Sequence, residues 1–266
     1  MQMPSVFSKH HTATFDWRDR VRAAAIHLGV SACVALLAAL LVFRLWYPYP
    51  YGAISGGRDL FLLVVAVDVV LGPLVTFAIF DRAKPWRELR RDLALVGLLQ
   101  LAALGYGLWT VNLARPVHMV FEYDRFRVVH LAEVPSDLED QAPAGVEVAP
   151  LLGPTLLSLR EFRDAQEKID ATLVALQGIP LSARPDLWQP YAAGRQQILA
   201  AARPATELQS RFPRSAAQIS AILRNAGRDP ASAAYLPLIA RKADGWTVLL
   251  DGTTADVLGY VPLDSF

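Results

Sequence analysis

The chain of 266 residues has a single cysteine, Cys33. One thiol excludes an intrachain disulfide and any zinc site built on cysteine pairs. No G-x-S-x-G, P-loop, dinucleotide fingerprint or H-E-x-x-H occurs, so the motifs of the commonest hydrolytic, nucleotide-binding and metalloprotease chemistries are missing. Gly56-Gly57 lacks the strand-to-helix setting that a phosphate cradle needs. A basic excess is missing from the C-terminal part: residues 115–266 carry 15 Lys/Arg against 18 Asp/Glu. That balance removes nucleic acid as a partner. The chain therefore reads as non-enzymatic, with no cofactor and no metal.

Charge is also missing, or nearly so, from three long stretches, and these dominate the sequence. Hydrophobic residues make up 53% of the chain, and the excess lies in the first 114 residues. Ala23–Phe43 stands between Arg22 and Arg44, Leu60–Phe80 between Asp59 and Asp81, and Leu93–Ala114 between Asp92 and Arg115. Each is 21 or 22 residues long, about 32 Å of helix, enough for a hydrocarbon core of roughly 30 Å. The first run is too long for a signal-peptide core of roughly 7–15 residues, and no small-x-small cleavage site follows it. It reads as a retained helix. The expected organisation is a segment 1–22, a three-helix membrane region 23–114 with a loop 81–92, and a soluble domain 115–266.

Basic residues set the expected orientation. Lys9, Arg18, Arg20 and Arg22 precede the first run, and Arg82, Lys84, Arg87, Arg90 and Arg91 lie between the second and third. Between the first and second, beyond the bordering Arg44, Arg58 stands alone. The positive-inside rule puts the N-terminus and the 81–92 loop in the cytoplasm and residues 115–266 outside. Trp46, Tyr47, Tyr49, Tyr51 and Trp109 then fall near the outer interface and Trp86 near the inner one, as an aromatic belt would.

Asp68 is the ninth residue of the second run. A carboxylate at that depth costs about 2.5–3.5 kcal/mol on the insertion scale, so it must face protein or water. Depth matching places Tyr106 on the third helix as its donor, with Gly105 and Gly107 allowing close approach. Gly72-Pro73 predicts a kink just below Asp68 and a freed carbonyl near residue 69. His27 and Ser31 share a face at the depth of Thr76 and Gly72, with Gln100 level on the third helix. The expectation is a polar seam of His27, Ser31, Asp68, Thr76, Gln100 and Tyr106. It either ties the three helices together or meets a partner's transmembrane helix. A proton or ion path is a third reading.

The C-terminal part reads as α+β. An extended segment Val117–His130 turns near Asp124-Arg125, and helices are expected over Ser158–Gln177, Asp186–Ala202 and Ser215–Ala226. Strands follow over 236–241, 246–251 and 255–261, the last two as a hairpin about Asp251-Gly252. His118, Glu122 and Asp124 share a strand face with His130 close by, but no metal-ligand spacing is matched. The plain reading is a polar strand face at water.

Six ordered stretches resemble the type IV pilin accessory proteins of Gram-negative bacteria. They are HLGVS at 27–31, SGGRDL at 55–60, VDVVLGPLVTF at 67–77, RRDLALVGLLQLAALGYGLWTV at 90–111, ARPVHMVFEYDRFRVV at 114–129 and GWTVLLDGTTADVLGYVPLD at 245–264. Residues 150–230 match only in length and character. The resemblance implies a multi-pass inner-membrane protein with its soluble domain in the periplasm. It would be a chaperone-like, non-enzymatic factor acting on the major type IV pilin, both transmembrane helix and head, to support its stability and assembly. Homo-oligomers are compatible with that role, and the lipid bilayer is the other partner. Asp68, Gly72, Pro73, Gln100, Tyr106 and His27 are the candidate partner-binding residues. The alternatives are a membrane-anchored sensor or regulatory subunit, which would need an output domain on another chain, and a transport subunit resting on Asp68 and the kink.

Overall fold

Uninterrupted apolar sequence forms helix wherever backbone groups have no water to bond, and three such helices occur. In the computed structural model, which describes residues 17–241 and 245–266, they are α1 (Trp17–Trp46), α2 (Gly57–Ile79) and α3 (Trp86–Leu113). All three are long and apolar enough to cross a bilayer. They contain the three apolar runs to within one residue. Lys9 and most of the expected segment 1–22 lie outside the described residues. Leu36, Leu63 and Leu98 are among many apolar side chains left exposed on these helices, which is the surface lipid would cover.

The chain divides into two compact units, Met1–Leu37 with Leu62–Gly107, and Ala38–Phe61 with Leu108–Phe266. In the first, side chains of α1 close the C-terminal end of α2. The Arg20 guanidinium donates to the carbonyl of Ala78 at 2.7 Å and of Phe77 at 3.3 Å, two of the last carbonyls a helix cannot satisfy itself. Asp19 pairs with Arg82 at 3.0 Å.

The second unit is built on one mixed sheet. Its eight strands among the described residues are β1 (Pro116–Glu122), β2 (Arg125–His130), β3 (Thr155–Leu159), β4 (Trp188–Pro190), β5 (Arg203–Pro204), β6 (Ala233–Ile239), β7 (Trp246–Asp251) and β8 (Val257–Val261). The order is β4-β3-β1-β2-β6-β7-β8, with β5 beside β6. The β1–β3 and β2–β6 pairs are parallel and the rest antiparallel. The β1–β2 hairpin turns at Tyr123-Asp124, with Tyr123 at φ 61°, one residue earlier than expected. β7 and β8 form the expected hairpin, but through a longer loop. Asp251 organises that loop by accepting from the amides of Thr253 and Thr254 at 2.8 and 2.9 Å. The Arg228 guanidinium, with these two amides, lowers the Asp251 carboxyl to about 2.

Helices α4 (Ala165–Leu176), α5 (Arg195–Ala201), α6 (Ala205–Arg211) and α7 (Ala216–Asn225) flank the sheet. Two expected helices are corrected. The first starts at Ala165, because Asp164 caps it through the Glu167 amide and the preceding Thr155–Leu159 is strand. The second shrinks to α5, because Leu187 is buried at the end of a 3-10 turn and Trp188 in the short strand that follows, and Pro190 cannot donate within a helix. The packed face of α4 is not its most apolar one. Ala171 is fully buried, while Ile169, Leu173 and Leu176 form an exposed stripe.

Three apolar clusters hold this unit. Val117, Val120, Leu157 and Trp188 gather with Ala171. Leu208, Ile219, Leu223 and Tyr235 gather where α6 and α7 pack. The largest joins Met119, Phe121, Phe126, Leu236 and Val248 to Tyr51 and Ile54, which lie in the connector between α1 and α2. Tyr47 and Tyr51 are therefore core residues, 2% and 5% exposed, not members of an aromatic belt. The Tyr47 hydroxyl donates to the Val111 carbonyl at 3.1 Å. The Tyr51 hydroxyl lies 3.1 Å from that of Tyr260. Gly57 is required beside Tyr47, since a Cβ there would strike the tyrosine ring.

Truncating a buried aromatic costs about 3–5 kcal/mol. Tyr51→Ala is expected to lower the unfolding midpoint of the sheet domain in detergent, while Tyr49→Ala, at a residue 74% exposed, leaves it unchanged. A fragment starting at Arg115 lacks the connector and is expected to bind a hydrophobic dye that the full chain does not. Equal midpoints for the two variants would show that the connector is peripheral.

Candidate functional site

The helix α2 is not regular. Val67–Leu71 forms a π turn that passes into α-helix at Gly72, so the irregularity expected at Gly72-Pro73 is a π turn containing Asp68. In a π register the donor for the Asp68 carbonyl would be the amide of residue 73, and a proline has none. Gln100 fills the gap, its Nε2 donating to the Asp68 carbonyl at 3.0 Å. The freed carbonyl is thus Asp68, one residue before the expected position. Gly72 makes the contact possible, because a Cβ at that position would overlap the Gln100 amide.

The seam is partly assembled. His27 Nδ1 and Thr76 Oγ1 share a hydrogen bond at 2.5 Å, as their depths implied. Gly107 lies against Val64, whereas a Cβ on Gly105 would meet open space. Only Gly107 of that pair serves close approach. Tyr106 is 69% exposed and does not line the space at Asp68. From the third helix Gln100 meets Asp68 at its backbone carbonyl.

What remains is a cavity of about 230 Å³ between the helices of this unit. His27, Ser31, Asp68 and Gln100 are its polar lining, set among residues such as Val30, Val34 and Leu104. Asp68 Oδ1 is buried and among the described residues has no hydrogen-bond partner. A buried acceptor left unmade costs about 1–3 kcal/mol, more when charged. The cavity therefore offers a strong acceptor in apolar walls to a donor from elsewhere.

The histidines of the sheet domain are structural, and the polar strand face expected there does not exist. His118 is fully buried, against Trp188 at 4.5 Å between ring centroids. Its Nε2 donates to the Val148 carbonyl at 3.1 Å, which leaves Nδ1 to accept from Thr155 Oγ1 at 2.7 Å. His130 is equally buried, and Glu133 receives its backbone amide at 3.1 Å and contacts its Nδ1 at 3.2 Å. Among the described residues no group of three or more His, Cys, Asp or Glu is placed to hold a metal.

The fold and cavity define a class: a membrane protein with three bilayer-length helices, a largely apolar cavity with a few polar groups among them, and a mixed-sheet domain at its C-terminus. The family described as fimbrial assembly protein FimB matches residues 15–56. Over 242 residues the chain is 34% identical to the serogroup I fimbrial assembly protein of Dichelobacter nodosus, covering 91% of this chain and 94% of the relative. The serogroup E1 protein of that organism gives the same identity and coverage. The protein of serogroups C1 and C2 is 41% identical over 117 residues, 44% of this chain and 89% of the relative. The chain belongs to the fimbrial assembly protein family, in agreement with the resemblance seen in its sequence. No solved structure matches it.

Burial lowers the His118 pKa to about 4, below the roughly 6.5 of an unfolded histidine. The unfolded chain therefore takes up the proton first. The stability of the sheet domain is expected to be unaffected by this group above pH ~6.5 and to fall as pH drops from there toward 4, by on the order of 3 kcal/mol. Nitrogen NMR of His118 should show the neutral Nε2–H tautomer at pH 5.5. A protonated ring at that pH would contradict the buried geometry.

Proposed function

We propose that this protein is a non-enzymatic, chaperone-like assembly factor of the bacterial inner membrane that binds an unassembled pilin through the pilin's transmembrane helix. In this reading the N-terminus and the 81–92 loop are cytoplasmic and the sheet domain is periplasmic, as the distribution of basic residues favours. Membership in the fimbrial assembly family supports a role in fimbrial assembly. The observation that carries the intramembrane part is the unpartnered Asp68 Oδ1 in its cavity. A buried intramembrane carboxylate oxygen without a partner among the described residues is the kind of group a second membrane segment satisfies.

The local architecture suits a docking surface. Pro73, Gly72 and Gln100 fix the π turn, so the orientation of Asp68 does not depend on the client. His27 is already engaged with Thr76, which leaves Asp68 as the acceptor offered. For the head of the same client, the sheet domain presents the exposed stripe Ile169, Leu173 and Leu176 on α4, a surface that no element of this chain covers among the described residues.

A photoreactive residue at Ala66, exposed on α2 beside Asp68, is expected to crosslink to the major pilin in the native host. Asp68→Ala is expected to reduce that capture, and surface pili with it, at least fivefold at equal protein level. Unchanged pilin capture and piliation in Asp68→Ala would end the intramembrane part of the proposal. Capture of a kinase or transporter component in place of abundant pilin would shift the assignment to the sensor or transport reading.

Gly72→Ala tests the geometry separately. The added methyl should displace Gln100 from the Asp68 carbonyl and lower the thermal stability of the helices, whereas Gly105→Ala, into open space, should leave it unchanged.

A further inference from the structure

The loop between Pro143 and Pro154 ends in an apolar pair whose position is fixed from both sides. Leu151 and Leu152 are 71% and 69% exposed. A mobile loop tip would carry such residues at the expense of solubility. This one is not free to move.

On the N-terminal side of the pair, Arg115 holds the chain. It is 3% exposed and follows α3 by two residues. Its guanidinium donates to the carbonyls of Ala149 and Pro150 at 3.3 and 3.4 Å and to the side chain of Asn112 at 2.5 Å. On the C-terminal side, the Gly153 amide donates to the Leu45 carbonyl at 2.6 Å. Leu45 lies in the π turn that ends α1. Gly153 has φ 53°, and a Cβ there would touch Pro48. The two exposed leucines are therefore clamped between the last turn of α1 and the residue that leaves α3. Both anchors sit where helices of bilayer length end.

We infer that Leu151 and Leu152 are a membrane-inserted tip, reaching into the acyl-chain boundary of the leaflet at which α1 and α3 emerge. The occupant is phospholipid. The reason is continuity: the clamp ties the loop to Leu45, itself exposed and apolar, at the border of a membrane span. Tyr49, exposed beside Pro48, supplies an aromatic ring of the kind that settles at such a border. Interfacial anchoring of this type needs only a small buried apolar area when the segment is already tethered, since the bilayer is at a high effective concentration. The outcome is a third lipid contact for the sheet domain, beyond its attachments through α1 and α3. This inference rests on the helices crossing a bilayer and is independent of pilin binding.

The test uses the full chain in vesicles of phosphatidylethanolamine and phosphatidylglycerol. Cys33 is first replaced by alanine, and single nitroxide labels are then placed at Leu151→Cys, Leu152→Cys, Leu176→Cys and Leu63→Cys. Collision rates with oxygen and with a water-soluble nickel chelate report depth. Labels at 151 and 152 are expected to favour oxygen over the chelate severalfold relative to the label at 176, and to lie shallower than the label at 63. Chelate accessibility at 151 and 152 equal to that at 176 would overturn the inference. A label at 63 that is itself accessible to the chelate would overturn it by removing the membrane span on which it depends.

Discussion

Tyr51 lies five residues beyond the end of a membrane-length helix and finishes inside the core of a β-sheet, its hydroxyl 3.1 Å from that of Tyr260 near the C-terminus. The rest of the C-terminal unit depends on this insertion. Sheet residues from three distant stretches, Met119, Phe126 and Val248, share one cluster with Tyr51 and Ile54. Without the connector that cluster would face water. The helix ends accordingly belong to the same compact unit as the sheet. A soluble domain appended by a flexible linker could turn freely about its tether. A domain whose core includes the turn between two spans keeps the orientation of that turn.

Inside the helical unit the governing constraint is backbone satisfaction without water. Pro73 removes a donor, the π turn moves the deficit to Asp68, and Gln100 supplies the missing bond. Gly72 is the third member of this arrangement, because only a residue without a Cβ admits the Gln100 amide. These residues solve a structural problem among themselves. The Asp68 carboxylate is no part of that solution. A glutamine from α3 reaches the backbone of Asp68, and among the described residues Oδ1 has no hydrogen-bond partner, so helix packing does not account for that oxygen.

The membrane helices were legible because composition alone marks them: runs of 21 or 22 apolar residues with at most one charge have few other stable fates. The polar pair His27–Thr76 was legible from depth arithmetic, which works when helices are straight and of known length. The same arithmetic matches Tyr106 to Asp68 in depth, but depth says nothing of rotation about the helix axis, and Tyr106 is not among the residues that line the cavity at Asp68. In the sheet domain the errors have one source. Thr155–Leu159 and Leu187–Trp188 are short apolar runs, and periodicity cannot separate buried strand from helix at that length. On α4 the packed face is built on Ala171, which shares a cluster with Ala183, and not on the larger side chains. The burial of Tyr47 and Tyr51 carried no local signal at all. Aromatic residues beside a span look the same whether they meet headgroups or a protein core.

The exposed apolar residues of the C-terminal unit can be separated by the same physical criterion. On α4, Ile169, Leu173 and Leu176 project from a helix whose opposite face is packed, and nothing in the fold fixes what lies beyond them. Leu151 and Leu152 project from a loop bonded on one side to Arg115 and on the other to the last turn of α1. An exposed leucine on a helix face is compatible with a client that comes and goes. A leucine pair held by main-chain bonds to the end of a membrane span meets the same environment at all times, and that environment must be one in which two leucines are stable.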